Sequence, residues 1–179
     1  IAPPWLPREM QDAGFVPDLR AAMQALLKQK SRVPGTAVIY DMDHTEGTYA
    51  SAELLQALFE RLVIITPRES IAQDVALVAR QGIVRRMHEQ RIALVVSSEP
   101  RWSARFEDGM LECVNIYNEE VREIADVSFL AYATPRAPNN SMAKPLRAAG
   151  IAVTLVGDCL NARNVLAATR EGHAAGNAI

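Results

Sequence analysis

Four continuous apolar runs, alternating with helix-like stretches, limit what this chain can fold into more than any other feature. They are TAVIYD at 36–41, LVIIT at 62–66, IALVVS at 92–97 and VSFLAYAT at 127–134. Runs that stay apolar without alternating suit strands buried on both faces, as in a parallel sheet covered by helices. Strands that alternate with helices point to an α/β fold of that kind. A fifth run, VTLV at 153–156, ends in Gly157-Asp158 and leads into a last helix-like stretch. That stretch is read with Val165, Leu166, Ala168 and Thr169 on its inner face.

The remaining segments follow from local signals. Pro3, Pro4, Pro7 and Pro17 make residues 1–17 an irregular lead-in. Asp18 opens a helix with Leu19, Met23, Leu26 and Leu27 on one face; Lys28 and Lys30 fall in its last turn, where the helix dipole favours them. Pro34-Gly35 ends it. Helices are expected over 51–60, 70–90 and 141–149, with Gly82 a weak point in the second. The irregular 103–125 stretch turns as a hairpin at Asp108-Gly109.

Several classes of function are disfavoured. A net charge of -2 offers no basic field, so nucleic acid is not an expected partner. No apolar run approaches the roughly 20 residues of a membrane helix. Ile1 to Pro7 does not read as a signal peptide. Cys113 and Cys159 have no metal-ligand spacing, which favours a reducing, cytoplasmic setting. The chain opens on IAPPWLP without an initiator Met. It reads as a piece of something longer or as a processed subunit.

Two strand ends carry candidate chemistry. At the last one, Gly157 and Asp158 precede a helix N-terminus, where free N–H groups and the helix dipole favour an anion. Asp158 either caps that helix, accepts from a sugar hydroxyl or holds a metal. At the first, Asp41-Met42-Asp43-His44-Thr45 looks like the opening motif of the haloacid dehalogenase-type phosphatases, with Asp41 as nucleophile and Asp43 as acid/base beside magnesium. Ser97, Lys144-Pro145 and VGDCLN extend that pattern. Against it, no further acid follows Asp158, the loop after Thr45 has no flap-like hairpin, and the first helix has no place there. The same turn is a poor dinucleotide cradle. It has only Gly47 where Gly-x-Gly-x-x-Gly is wanted, and Asp41, Asp43 and Glu46 repel a pyrophosphate. NAD(P) is therefore not expected. His44, His88 and His173 are read as surface or packing residues. Trp5 and Trp102 are read as covers for apolar edges.

A more specific resemblance comes from the order of blocks. YDMDHTEGTYASAELLQAL, LVIITPRESIA, VRRMHEQRIAL, DVSFLAYATPRAPNN and VGDCLNARNVLAATREGHAAGNAI together resemble the C-terminal region of the trimethylamine dehydrogenase and 2,4-dienoyl-CoA reductase family, relatives of old yellow enzyme. The resemblance covers about residues 35–179. It implies a Rossmann-like, NAD(P)-binding-domain-like parallel sheet with helices on both faces, plus a partial FAD-domain segment. Residues 1–34 would be a linker and helix from the preceding nucleotide-binding domain, 35–150 a degenerate NAD(P)-binding-like domain, and 151–179 the last strand and helix of the FAD/ADP domain. Carried over residue by residue, Gly157, Asp158, Arg163 and Asn164 form half of an FAD or ADP site. The match is partial there: the family has Pro-Arg where this chain has Ala162-Arg163, and Thr-Gly-Arg where it has Thr134-Pro135-Arg136. The implied whole is a flavin-dependent amine dehydrogenase or demethylase. FMN and a 4Fe-4S cluster would lie in the part before this region, and no four-cysteine spacing is present here. The implied partners are the rest of that oxidoreductase and an electron-transferring flavoprotein, and this piece alone would be inactive. A non-catalytic interaction module is the remaining alternative.

Overall fold

The computed structural model describes residues 1–178. Chain contacts separate two compact units, Ala2–Thr134 and the segment from Pro135 onward.

In the first unit a four-stranded parallel sheet forms in the order β3-β2-β1-β7, from β1 (Val33–Asp41), β2 (Phe59–Ile65), β3 (Ala93–Val95) and β7 (Val127–Ala133). Val38 of β1 sits opposite Val63 of β2 on one side and Leu130 of β7 on the other. The strands are apolar throughout because both of their faces are covered. Side chains alternate across a strand, so Ala37, Ile39, Leu62 and Ile64 enter one core while Val38, Tyr40, Val63 and Ile65 enter another. The first core lies under α2 (Leu19–Leu26), α3 (Glu46–Leu58) and α4 (Leu77–Glu89), which contribute Leu19, Leu55, Ile83 and Met87. On the opposite face lie the lead-in, with Leu6 and Val16, the helix α1 (Arg8–Asp12), and an antiparallel meander of β4 (Ser98–Arg101), β5 (Leu111–Asn115) and β6 (Val121–Ile124). Residues 2–34 thus pack within this unit.

The parallel sheet and its helical cover match the sequence expectation; several details differ. Ser97 takes a left-handed φ of 50° and turns the chain out of the parallel sheet into the meander. The expected 92–97 strand therefore splits there. The turn at Asp108-Gly109 does link two antiparallel strands, through a short 3-10 turn at Ala104–Asp108. A second turn follows β5, where the Asn115 side chain accepts from Tyr117 N at 2.9 Å and Asn118 N at 3.2 Å. The helix expected over 70–90 begins only at Leu77, because Ile71 and Ala72 turn inward and are buried. Helix α2 ends at Leu26, so Leu27 is 70% exposed and Lys28 and Lys30 fall beyond it. Gly35 meets a steric demand: its φ is +93° and an added Cβ would lie 2.6 Å from the Asp126 carbonyl oxygen.

The second unit holds α5 (Ala143–Ala148), a 3-10 turn at Gly157–Cys159 and α6 (Val165–Gly176). The strand expected at 153–156 does not form a ladder, since the described residues of this unit contain no other strand to pair with. The run is extended at Val156 and only half-buried. The inner face expected for α6 is also not found. Val165 is 82% exposed and Leu166 60%, and no residue of α6 is buried. Among the described residues, no helix is long and apolar enough to cross a membrane.

Burial of the α3 seam sets a stability expectation. Leu55, 0% exposed, should cost about 2–5 kcal/mol when cut to Ala, whereas Val78→Ala on exposed α4 surface should stay within about 0.5 kcal/mol. Urea unfolding of the two variants checks this, and equal costs would contradict the packing.

Candidate functional site

The carboxyl end of β1 is closed by its own side chains. Asp41 is 0% exposed. Its Oδ1 accepts from the backbone N–H of Asp43 at 3.1 Å and of His44 at 2.9 Å. Its Oδ2 accepts from the Tyr49 hydroxyl at 2.5 Å, and that hydroxyl accepts from Ala72 N at 2.5 Å. His44 is also fully buried, with a left-handed φ of 51°. Its Nδ1 accepts from Gln73 N at 3.4 Å and its Nε2 lies 3.0 Å from the Thr66 hydroxyl oxygen. A neutral ring that accepts at Nδ1 carries its hydrogen on Nε2, so Nε2–H donates to Thr66. The His44 reading as a packing residue holds, with a polar network attached. Burial pushes the Asp41 carboxyl above its ordinary range despite His44 and Tyr49. Burial also pushes the His44 imidazole below its ordinary value, although Asp41 is nearby. The Tyr49 hydroxyl is held strongly protonated by burial and by Asp41.

This geometry disposes of two readings of the same turn. A pyrophosphate cradle needs open backbone N–H groups, and here Asp41 has taken two of them. A phosphatase nucleophile must reach its substrate, and the Asp41 carboxyl is walled in by Tyr49 and His44. Asp43 is likewise engaged: its Oδ2 accepts from Thr45 Oγ1 at 2.5 Å and Thr48 Oγ1 at 3.2 Å, and Arg20 lies 3.7 Å from its Oδ1. Arg20 itself holds Asp18 at 2.8 Å and donates to the Thr134 carbonyl at 2.8 Å. Sequence reasoning missed Tyr49, Thr66 and Ala72. Tyr49, one turn into α3 and eight residues after Asp41, was the one legible hint; nothing marks Ala72 as a left-handed residue.

In the second unit, Gly157, Asp158, Arg163 and Asn164 gather before α6. Asn164 is the cap: its side-chain oxygen accepts from Ala167 N at 2.9 Å. Asp158 instead accepts from Arg136 Nη1 at 2.9 Å, so the capping alternative for it is set aside. Arg136 also donates to the Arg163 carbonyl at 3.1 Å, and Arg163 pairs with Glu171. Gly157 N–H donates to Glu171 Oε2 at 2.8 Å. With φ +57° and the Ala168 Cβ only 3.1 Å from where its own Cβ would stand, Gly157 leaves little room for a side chain. Asn139 accepts from the Ser141 hydroxyl at 3.2 Å within a surface turn. The two arginines are each 43% exposed and their partners 60% and 22%. Ion pairs that wet are individually weak and can be exchanged for another anion.

No family model matches this chain, and no curated protein matches it in sequence. Solved structures do. The 6-hydroxypseudooxynicotine amine oxidase of Pseudomonas geniculata N1 superposes with TM-score 0.76 at 18% identity over 93% of this chain. Histamine dehydrogenase from Rhizobium sp. 4-9 gives 0.69 at 18% over 87%, and 2-naphthoyl-CoA reductase 0.73 at 16% over 97%. The chain spans 24% of the histamine dehydrogenase and 25% of each of the other two. Thioredoxin reductase of Lactococcus lactis matches at TM-score 0.59, 18% identity and 87% of this chain, which is 54% of that protein. At such identities the likeness establishes the fold: a Rossmann-like α/β architecture shared with oxidoreductases. The chain resembles, in fold as in motif order, part of the trimethylamine dehydrogenase and dienoyl-CoA reductase family.

Tyr49→Phe deletes one hydroxyl and leaves both the Asp41 carboxyl and the Ala72 N–H buried without it. Unfolding free energy should fall by about 1–3 kcal/mol, measured by denaturant titration, while the Tyr117→Phe control, 71% exposed, should not move. Equal stability of the Tyr49 variant and the native chain would contradict the network.

Proposed function

We propose that this chain is the nucleotide-domain part of a flavin-dependent oxidoreductase of the amine dehydrogenase or demethylase type, and that the segment from Pro135 onward supplies half of an adenine-nucleotide seat. The observation that carries the reading is the cluster before α6. Two guanidinium groups, a glycine backbone packed against Ala168 and a capped helix start converge there. The first N–H groups of α6, on Val165 and Leu166, are left over by the Asn164 cap.

These residues suit a pyrophosphate-bearing ligand such as FAD or ADP. Arg136 and Arg163 would turn from Asp158 and Glu171 to phosphate, and charge-assisted contacts of this kind are the stronger sort. Asp158, released from Arg136, would accept from a ribose hydroxyl. A bound flavin dinucleotide supplies electron transfer; this chain's residues bind and orient it. The first unit has no comparable opening at β1, because Asp41 fills it, so it serves as scaffold and NAD(P) is not its ligand.

The rest of the seat belongs to the remaining oxidoreductase. The 153–156 run supports that: it is apolar and joins no ladder, although the Val153 carbonyl accepts from Arg147 at 3.3 Å, and such a run fits beside another strand. Substrate amine oxidation, FMN and a 4Fe-4S cluster are assigned to that remainder, and an electron-transferring flavoprotein to its surface. A cytoplasmic setting accompanies the free thiols of Cys113 and Cys159.

Calorimetric titration of the chain with ADP and with NADPH tests the seat. ADP should bind, Arg136→Ala with Asn164→Ala should weaken it about tenfold or more, equivalent to about 1.4 kcal/mol, and NADPH should bind no more tightly than ADP. ADP binding untouched by the double variant would remove the seat from this cluster.

A further inference from the structure

The 66–76 connection between β2 and α4 covers the β1–α3 crossover yet has no helix or strand of its own. Its ties are few. Ala72 N donates to Tyr49, Gln73 N donates to His44 Nδ1, and Arg68 N donates to the Thr66 hydroxyl at 3.2 Å. Arg68 and Asp74 form a half-exposed pair, and Arg80 reaches Ser70. Ile71 and Ala72 are its buried anchors, and Ala72 is held at a left-handed φ of 56°. A non-glycine residue takes that conformation at a cost, so the segment is poised to move if a tie is cut.

One tie is sensitive to protons. The Nε2–H of His44 already donates to Thr66, so the next proton must go to Nδ1. Nδ1 is the acceptor for Gln73 N–H. A proton there sets two donors against each other and puts a charge where the ring is 0% exposed. We infer that His44 is an acid-sensitive latch: proton uptake at Nδ1 releases the 67–76 segment from the crossover.

The groups facing His44 divide. Asp41 from β1 lies 4.0 Å from Nδ1 and, with Asp43 from the crossover and Asp74 from the covering segment, favours the charged ring. Burial outweighs each of them, and Arg68 from the same segment adds to it. Tyr49 from α3 acts through Asp41, whose carboxyl it engages, and Thr66 from β2's end offers only a hydroxyl. Asp41 is itself pushed toward its neutral form by burial, which weakens it as a counter-charge. The sign follows: a histidine whose value is lowered on folding stabilises the closed form above its ordinary value of about 6.5 and loses that contribution as pH falls below it. The loss falls on the segment because sub-global openings cost less than unfolding the sheet.

Hydrogen exchange of the whole chain at about pH 7.5 and about pH 5.5, corrected for the chemical rate, tests the latch across the histidine range. Amides of 68–75 should lose protection several-fold, up to the roughly tenfold that one histidine can supply over this range, at the lower pH while β1 and β2 keep theirs. His44→Gln, which takes up no proton in this range, should show the same protection at both. Unchanged protection in the native chain, an equal acid response in His44→Gln, or simultaneous loss across all strands each overturns the latch. Should His44→Gln fail to fold, the ring nitrogen and Gln73 amide signals of the native chain decide. Joint titration of the two supports the latch, and a ring that titrates without the Gln73 amide overturns it.

Discussion

A buried carboxyl seated on backbone N–H groups governs the first unit. Asp41 ends β1, and its oxygens take up the amides of Asp43 and His44 together with the Tyr49 hydroxyl. A carboxyl with no access to water is costly unless its oxygens are bonded, and here they are. The same bonds direct the chain. They turn it off β1 into α3, and through Tyr49 and Ala72 they bring the connection after β2 down onto that turn. In Rossmann-like folds this position ordinarily offers amides to a phosphate. In this chain a side chain stands where the phosphate would.

The consequence is a division of labour between the two units. The first has a complete core on both faces of its sheet and no anion seat at β1. The second is the reverse: few buried side chains, an apolar run without a ladder, and two ion pairs, Arg136–Asp158 and Arg163–Glu171, around the start of a capped helix. The proposed nucleotide seat rests on that second set alone, since the turn after β1 is filled by its own side chains.

The parallel sheet was legible because burial on both faces forces continuous apolar strands, and TAVIYD, LVIIT and VSFLAYAT obey it. Of the meander only the Asp108-Gly109 turn was legible, because β4 and β6 are four residues each with charged outer positions such as Arg101 and Glu123, and Pro100 sits inside one of them. The break at Ser97 and the inward turn at Ala72 depend on left-handed backbone at residues that rarely adopt it, which no local pattern reveals. The closing run VTLV is apolar enough for a strand, but a strand also needs a neighbour. At the candidate seat, residue types were readable and their pairing was not: Asp158 looked equally fit to cap the helix, and only its bond to Arg136 separates it from Asn164. The Asp41 turn was read as hostile to a dinucleotide for its charge; the geometry supplies a reason the sequence did not show, which is that Asp41 itself holds the amides of Asp43 and His44.

The most direct measurement is a double-mutant cycle on Asp41 and Tyr49, using Asp41→Ala, Tyr49→Phe and the pair, each unfolded by denaturant. If the carboxyl and hydroxyl work as one network, the double variant is less destabilised than the sum of the singles, with a coupling of about 0.5–3 kcal/mol. Simple additivity, within about 0.3 kcal/mol, would contradict the account and reduce Asp41 to an ordinary strand end.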